Sequence, residues 1–169
     1  MDTGLRLLSV AVLVLLNGFF VAAEFALVGA RRARLEQMEL AGDMAAGLGR
    51  RMQEDLDRYI AAAQLGITLA SLALGWVGES TIAALLEPPI EHAISYVLGN
   101  IVAEQAATVI GHAVGIAAAF FVITTLHIVL GEQAPKVYAI REPEEVTRFI
   151  SQPLDIFNRI FSPIIQFLD

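Results

Sequence analysis

The chain has 169 residues, 56% of them hydrophobic, with a mean hydropathy of +0.64 and a formal charge of −7. The acidity argues against a nucleic-acid binder, which needs a basic footprint to neutralise phosphates. The lack of cysteine excludes disulfides, zinc–thiolate sites and thiol nucleophiles.

Soluble domains are usually about 45–50% apolar. Here the excess is gathered into long blocks, so a single membrane domain is expected. The first block covers residues 5–30, and before Glu24 its only polar residues are Arg6, Ser9 and Asn17. It exceeds the roughly 20 residues that cross a bilayer and ends at Arg31-Arg32-Ala33-Arg34. A cleaved leader would use Arg6 as its basic head and Val21-Ala22-Ala23 as its cleavage site. The apolar run continues past that cut and the basic cluster follows it, which is the pattern of a retained span.

Residues 31–58 are polar and helix-friendly, with apolar positions at Leu35, Met38, Met44, Leu48 and Met52. They read as an amphipathic helix or helix pair at the membrane surface, or as an ordinary soluble helical loop. The second span is expected over 59–86. Its Ala, Gly, Ser and Thr content suits close helix packing in lipid, with Gly66, Gly75 and Gly78 at the contacts. Pro88-Pro89 is expected to stop that helix, leaving a short surface helix near 90–98. The third span is expected over 106–131, and Gly131-Glu132-Gln133-Ala134-Pro135-Lys136 breaks its pattern. A last, interfacial helix covers 144–169. Phe149, Ile150, Leu154, Phe157, Ile160 and Phe161 recur there at helical spacing, with kinks expected at Pro153 and Pro163.

Of the 11 basic residues, Arg6 stands at the head of the chain. Six lie between the first and second spans, none between the second and third, and Lys136, Arg141, Arg148 and Arg159 follow the third. The positive-inside rule then puts the N-terminus outside and the C-terminus in the cytoplasm. The expected class is an all-α membrane protein with three transmembrane helices and amphipathic juxtamembrane helices.

Polar groups inside a membrane are costly and face a bundle interior or a water-filled cavity. Asn17 and Glu24, seven apart, share a face of the first span. Gln64, Thr68 and Ser71 form a stripe on the second. The third carries Thr124, Thr125 and His127, then Gly131 and Glu132. Converging seams would make an oxygen-rich pocket suited to a hard cation such as Mg²⁺. Pro135 lacks an N–H, so the Gly131 carbonyl loses its helical donor and is free to join. The bland alternatives are hydroxyls bonded to their own helix backbone, Asn17 as a bond between helices, and His127 as a packing residue.

Three motifs carry a resemblance. Asn17-Gly18-Phe19-Phe20-Val21-Ala22-Ala23-Glu24-Phe25-Ala26-Leu27-Val28, followed by Arg31-Arg32-Ala33-Arg34-Leu35, is similar to the opening of the CorC/CNNM transmembrane domain. Gln64-Leu65-Gly66-Ile67-Thr68-Leu69-Ala70-Ser71-Leu72 resembles its second span. Leu130-Gly131-Glu132-Gln133-Ala134-Pro135-Lys136 resembles its Gly-Glu-x-x-Pro-Lys motif. Together they cover nearly the whole chain.

The resemblance implies a magnesium transporter of the plasma or inner membrane, exporting Mg²⁺ in exchange for Na⁺ as a homodimer. It implies no enzyme activity and no nucleic-acid partner. It also implies that ATP acts only through cystathionine-β-synthase-type modules that this chain lacks. The implied metal ligands are the side chains of Asn17, Ser71 and Glu132 and the carbonyls of Ala23 and Gly131. Glu24, Gln64 and Thr68 are candidates for supporting the ion or for holding sodium. Relatives often have Ser at Ala23, so only the carbonyl remains there, and Gln133-Ala134 replaces their commoner apolar pair. A magnesium-sensing scaffold that regulates another transporter would need the same pocket. An intramembrane hydrolase built on Glu24, His127 or Glu132 lacks any nucleophile–base or metalloprotease motif.

Overall fold

The computed structural model describes residues 3–98 and 104–168. The stretch expected to join the second and third spans lies partly outside the described residues. Among the described residues every regular element is helical: α1 (Thr3–Gly29), α2 (Arg32–Leu40), α3 (Met44–Met52), a 3₁₀ turn (Gln53–Asp55), α4 (Leu56–Leu98), α5 (Glu104–Leu126), a π-helical segment (His127–Gln133), α6 (Ala134–Arg141) and α7 (Pro143–Leu168). Among the described residues three helical stretches are long and apolar enough to cross a membrane: Thr3–Gly29, Met44–Val97 and Thr108–Arg141. This is an all-α membrane protein.

Two expectations about helix ends are corrected. Pro88 and Pro89 do not stop the second helix, because α4 runs through them to Leu98. Nor does the Gly131–Pro135 region break the third. The chain widens into a π-helical segment and continues as α6, with Pro135 in its first turn. The physical reason is shared. In an apolar environment a broken helix strands backbone polar groups, so helices run on through prolines and local π adjustments absorb the missing donor. Pro153 and Pro163 likewise lie inside α7.

The chain divides into two compact units, Met1–Val14 with Leu72–Ile128, and Leu15–Ser71 with Val129–Asp169. In the first, Val10 and Val14 of α1, Leu74 and Ile82 of α4, and Ala119 and Ile123 of α5 form a small apolar core. Helix approach there depends on glycine. A Cβ at Gly111 or Gly115 would lie 2.9 or 3.0 Å from the Cα of Glu91 or Glu87. At the same contact Glu87 pairs with His112.

The second unit holds the larger core: Phe20, Ala23, Ala26, Leu27, Met52, Ala62, Ala139, Ile150, Leu154 and Ile165, with Phe157 and Phe161 stacked on its edge. Residues 31–58 form the expected helix pair. Asp43 caps α3, its Oδ1 accepting from the Ala45 and Ala46 amides at 3.0 Å, and Gly42 takes the positive φ of 99° in the α2–α3 turn. The Ala46 bond, with help from Arg148, holds the Asp43 carboxyl below the usual range against a raising effect of burial. Arg50 does the same for Glu39. Helix α7 packs on α3 and the foot of α4 with a face that mixes the apolar Val146, Ile150 and Leu154 with polar side chains. Thr147, Ser151, Asp155 and Asn158 are buried, while Phe149, Ile156, Ile160 and Ile164 are exposed.

Candidate functional site

Three of the residues singled out by sequence meet in the second unit. Asn17 of α1 is 1% exposed. Its Nδ2 donates to the carbonyl of Gly131 in the π-helical segment at 2.8 Å. Its Oδ1 lies 3.0 Å from the Ser71 Oγ of α4, which donates to it. Asn17 therefore ties all three long helices together, and the Gly131 carbonyl, four residues before the donor-less nitrogen of Pro135, accepts from its side chain. Leaving such a buried carbonyl unbonded would cost about 1–3 kcal/mol.

Two glycines make this approach sterically possible. A Cβ at Gly18 would sit 2.8 Å from the Pro135 ring and 3.4 Å from the Leu130 carbonyl. A Cβ at Gly66 would sit 2.5 Å from the Phe20 ring, which is itself buried in the core. Gly18 thus lets α1 lie against the π segment beside Asn17, and Gly66 lets α4 lie against α1.

The hydroxyl of Ser71 has one proton and two acceptors in reach, Asn17 Oδ1 at 3.0 Å and the Ile67 carbonyl at 2.7 Å. When the proton goes to Ile67, Asn17 Oδ1 and Ser71 Oγ present lone pairs to the same space. A Mg²⁺ with oxygens at 2.0–2.1 Å in octahedral array has neighbouring oxygens about 2.9 Å apart. The Asn17–Ser71 spacing matches that edge.

The remaining candidates are placed differently. Gln64 Nε2 donates to Glu24 Oε1 at 3.3 Å, so these two form a second polar pair between α1 and α4. Thr68 is exposed and its hydroxyl bonds the Gln64 carbonyl of its own helix at 2.9 Å. The Ala23 methyl is fully buried in the apolar core, and Ala23 lies within the regular run of α1. Glu132 is exposed, and its carboxylate has no hydrogen bond or ion pair among the described residues. Thr124, Thr125 and His127 fall in the other compact unit. Among the described residues no three His, Cys, Asp or Glu side chains form a metal cluster, so the meeting point is built from neutral oxygens.

Some positions were not visible in the sequence. Gln53 Nε2 donates to the carbonyls of Leu27 and Ala30 at 3.0 and 2.7 Å, closing the C-terminal end of α1. The Lys136 ammonium lies 4.5 Å above the Phe25 ring, a cation–π contact joining α6 to α1. At the foot of α4, Tyr59 donates to Asp155 at 2.7 Å, and Arg58 to Asn158 and Ser162 at 3.3 and 2.9 Å. No spacing rule links residues about 100 positions apart. The only hint was polar residues recurring on the same helical face of α7.

Comparison with known proteins covers the same ground. Residues 7–169 match the family model described as the cyclin M transmembrane N-terminal domain. The UPF0053 protein YhdT of Bacillus subtilis is 42% identical over 169 residues, covering all of this chain and 34% of YhdT. YrkA of the same organism is 36% identical, over 99% of this chain and 36% of its own length. An uncharacterised protein of Mycobacterium tuberculosis, Rv1841c, is 34% identical over 99% of the chain and 44% of its own length. The chain thus spans about a third to under a half of the length of these relatives.

Proposed function

The chain belongs to the cyclin M (CNNM) transmembrane-domain family, to which the UPF0053 proteins also belong, and from that premise we propose that it carries Mg²⁺ across the membrane, exporting it in exchange for Na⁺ by alternating access. The observation that carries the reading is the buried Asn17–Ser71–Gly131 junction, where two side-chain oxygens stand 3.0 Å apart beside a backbone carbonyl that accepts from the Asn17 amide. Neutral oxygens at that spacing suit a small hard cation that must be released as well as bound. Discontinuities in membrane helices are a recurring source of such carbonyls.

In this reading the ion-free site is held shut by its own hydrogen bonds. An arriving Mg²⁺ turns the Ser71 proton to the Ile67 carbonyl, so that Ser71 Oγ and Asn17 Oδ1 both face the ion. Glu132, next to Gly131, supplies negative charge. Glu24 and Gln64 offer a carboxylate and an amide oxygen for Na⁺ on the return. Assembly as a homodimer, and control by ATP through segments beyond this chain, belong to the same reading, as does a place in the plasma or inner membrane.

The test is Mg²⁺ flux into dye-loaded proteoliposomes holding the purified protein alone, with Ser71→Ala, Glu132→Ala and, as a control on the other unit, Ser80→Ala. Ser80 is exposed and bonds only its own helix. The expected result is flux in wild type and Ser80→Ala and at least a tenfold loss in the other two. No flux in any preparation favours the sensing scaffold. Equal flux in all four removes the site assignment.

A further inference from the structure

Beside the ion junction, and independent of what that junction carries, lies a cavity of about 560 Å³ bounded by α1, the start of α6 and α7. Its walls are Leu15, Gly18, Phe19, Ala22, Leu130, Pro135, Val146, Phe149 and Ile150, with Tyr138 and Glu145 as the polar members. The volume falls within the roughly 300–1,000 Å³ typical of small-molecule sites. Leu15, Leu130, Tyr138 and Phe149 are exposed as well as lining it, so it opens sideways. The lining of α1 comes from a helix that crosses the membrane. Tyr138 also lines a second groove of about 450 Å³ with Val129, Val137 and Arg141.

Glu145 is the one charged residue of the lining, and Arg141 belongs to the adjoining groove that shares Tyr138 with it. Arg148 is shared between Glu145 at 2.7 Å and Asp43. One cation against two carboxylates leaves a net negative charge beside Glu145. Arg141 closes α6, one turn on from Tyr138 on the same helix face, and has no ion pair among the described residues. An aromatic ring beside a carboxylate favours an ammonium group. An unpaired guanidinium three residues away favours a phosphate. A free anionic lipid head would meet Arg141 but be repelled at Glu145.

We propose that this cavity is a binding site for one phosphatidylethanolamine molecule, one of its two acyl chains lying between α1 and α7, its phosphate on Arg141 and its ammonium between Tyr138 and Glu145. Ethanolamine is preferred to choline because a primary ammonium donates a hydrogen bond to a carboxylate and a quaternary one does not. The chain reaches Gly18, Leu130 and Pro135, the residues that flank the Asn17–Gly131 bond. A bound lipid therefore props the wall behind the ion junction.

The experiment is native mass spectrometry of the intact protein released from nanodiscs holding equal parts of phosphatidylethanolamine, phosphatidylcholine and phosphatidylglycerol. The expected spectrum shows one retained lipid per protomer, with the ethanolamine species favoured about threefold or more. Ala22→Phe fills the cavity and removes the adduct. Arg141→Ala lowers retention of all three lipids, and Glu145→Gln abolishes the preference for ethanolamine over glycerol. Far-UV circular dichroism and melting confirm that each variant is folded, and the two head-group variants serve if Ala22→Phe is not. Retention that ignores head group, or that survives both Ala22→Phe and Arg141→Ala, overturns the proposal. So does efficient disulfide cross-linking of Phe149→Cys between two copies, since a second chain then covers the cavity; the native chain has no cysteine to confuse that result.

Discussion

In the unit formed by Leu15–Ser71 and Val129–Asp169, helices are tied by side-chain polar bonds that span up to 114 positions of sequence: Asn17 to Gly131, Tyr59 to Asp155, Arg58 to Ser162, Ser151 to the Ala45 carbonyl. In the unit formed by Met1–Val14 and Leu72–Ile128, the described contacts between α4 and α5 rest mainly on small residues, with Gly111 and Gly115 against α4 and Gly78 against Ile123. The ring of Phe120 and the side chains of Trp76 and Phe121 are left exposed there. Lipid supplies no hydrophobic drive between helices, so close backbone packing must do the work. The other unit adds polar side-chain bonds, and one of them, Asn17 to Gly131, joins two helices long and apolar enough to cross a membrane. The Asn17–Ser71–Gly131 junction belongs to the polar unit, and the proposed ligands are members of the same network that holds the helices.

Breaking that network should have the largest effect. Asn17→Ala removes the bond to Gly131 and the partner of Ser71 together, so Mg²⁺ flux in proteoliposomes should fall to background. Melting temperature should also drop, because a buried carbonyl left unbonded costs about 1–3 kcal/mol. A drop in stability with flux retained would mean that Asn17 is structural only.

Glycine replacements sharpen the comparison by size. Gly66→Ala places a Cβ 2.5 Å from the buried Phe20 ring and should destabilise by about 1–3 kcal/mol through overpacking. Gly78→Ala meets Ile123 Cγ1 and Cδ1 at 2.9 and 3.0 Å and Leu74 Cδ1 at 3.4 Å, aliphatic side-chain atoms farther off than the Phe20 ring is from Gly66, and should cost less. Gly75→Ala meets nothing within 4 Å and should be neutral in a thermal melt. A reversed order would show that the contacts at Phe20 are soft.

Asp155→Ala leaves the Tyr59 hydroxyl without its acceptor and frees Arg159. It should lower stability by about 1–2 kcal/mol and loosen α7, read as faster amide exchange over residues 143–160. Tyr59→Phe should reproduce most of the loss.

The smallest effect is on acid sensitivity. The Asp43 carboxyl is held below its ordinary value of 3.8, chiefly by the Ala46 amide. A depressed folded-state pKa contributes stability above the unfolded value, and that contribution is lost as pH falls through the folded one. Asp43→Asn should therefore melt below wild type at pH 7, and the gap should close below about pH 4. A gap that is constant with pH would assign the cap to geometry rather than charge.

Hydropathy and motif order were enough to reach the class, the three spans and the meeting of Asn17, Ser71 and Gly131. Asn17 and Ser71 lie where apolar runs make any polar residue conspicuous, and Gly131 is marked by the proline four residues on. Pro88-Pro89 misled because a stop signal learned from water does not end a helix whose backbone must be satisfied internally. The π-helical form of 127–133 was hidden as well, since Pro135 announces a missing donor but not how the chain absorbs it. Helix α7 was the subtlest case. Of its apolar period, Ile150 and Leu154 are buried and Phe157 and Phe161 pack on the core, while Phe149 and Ile160 are exposed. The face that packs also carries Thr147, Ser151, Asp155 and Asn158, whose partners lie on elements remote in sequence.

The most direct test of the ion junction is to locate the ion. Crystals soaked in Mn²⁺, as a magnesium substitute with an anomalous signal, should show a peak about 2.0–2.3 Å from both Asn17 Oδ1 and Ser71 Oγ, near the Gly131 carbonyl. That peak should vanish in Ser71→Ala. A peak at Glu24 and Gln64 instead, with the Asn17–Ser71 bond intact, would contradict the assignment.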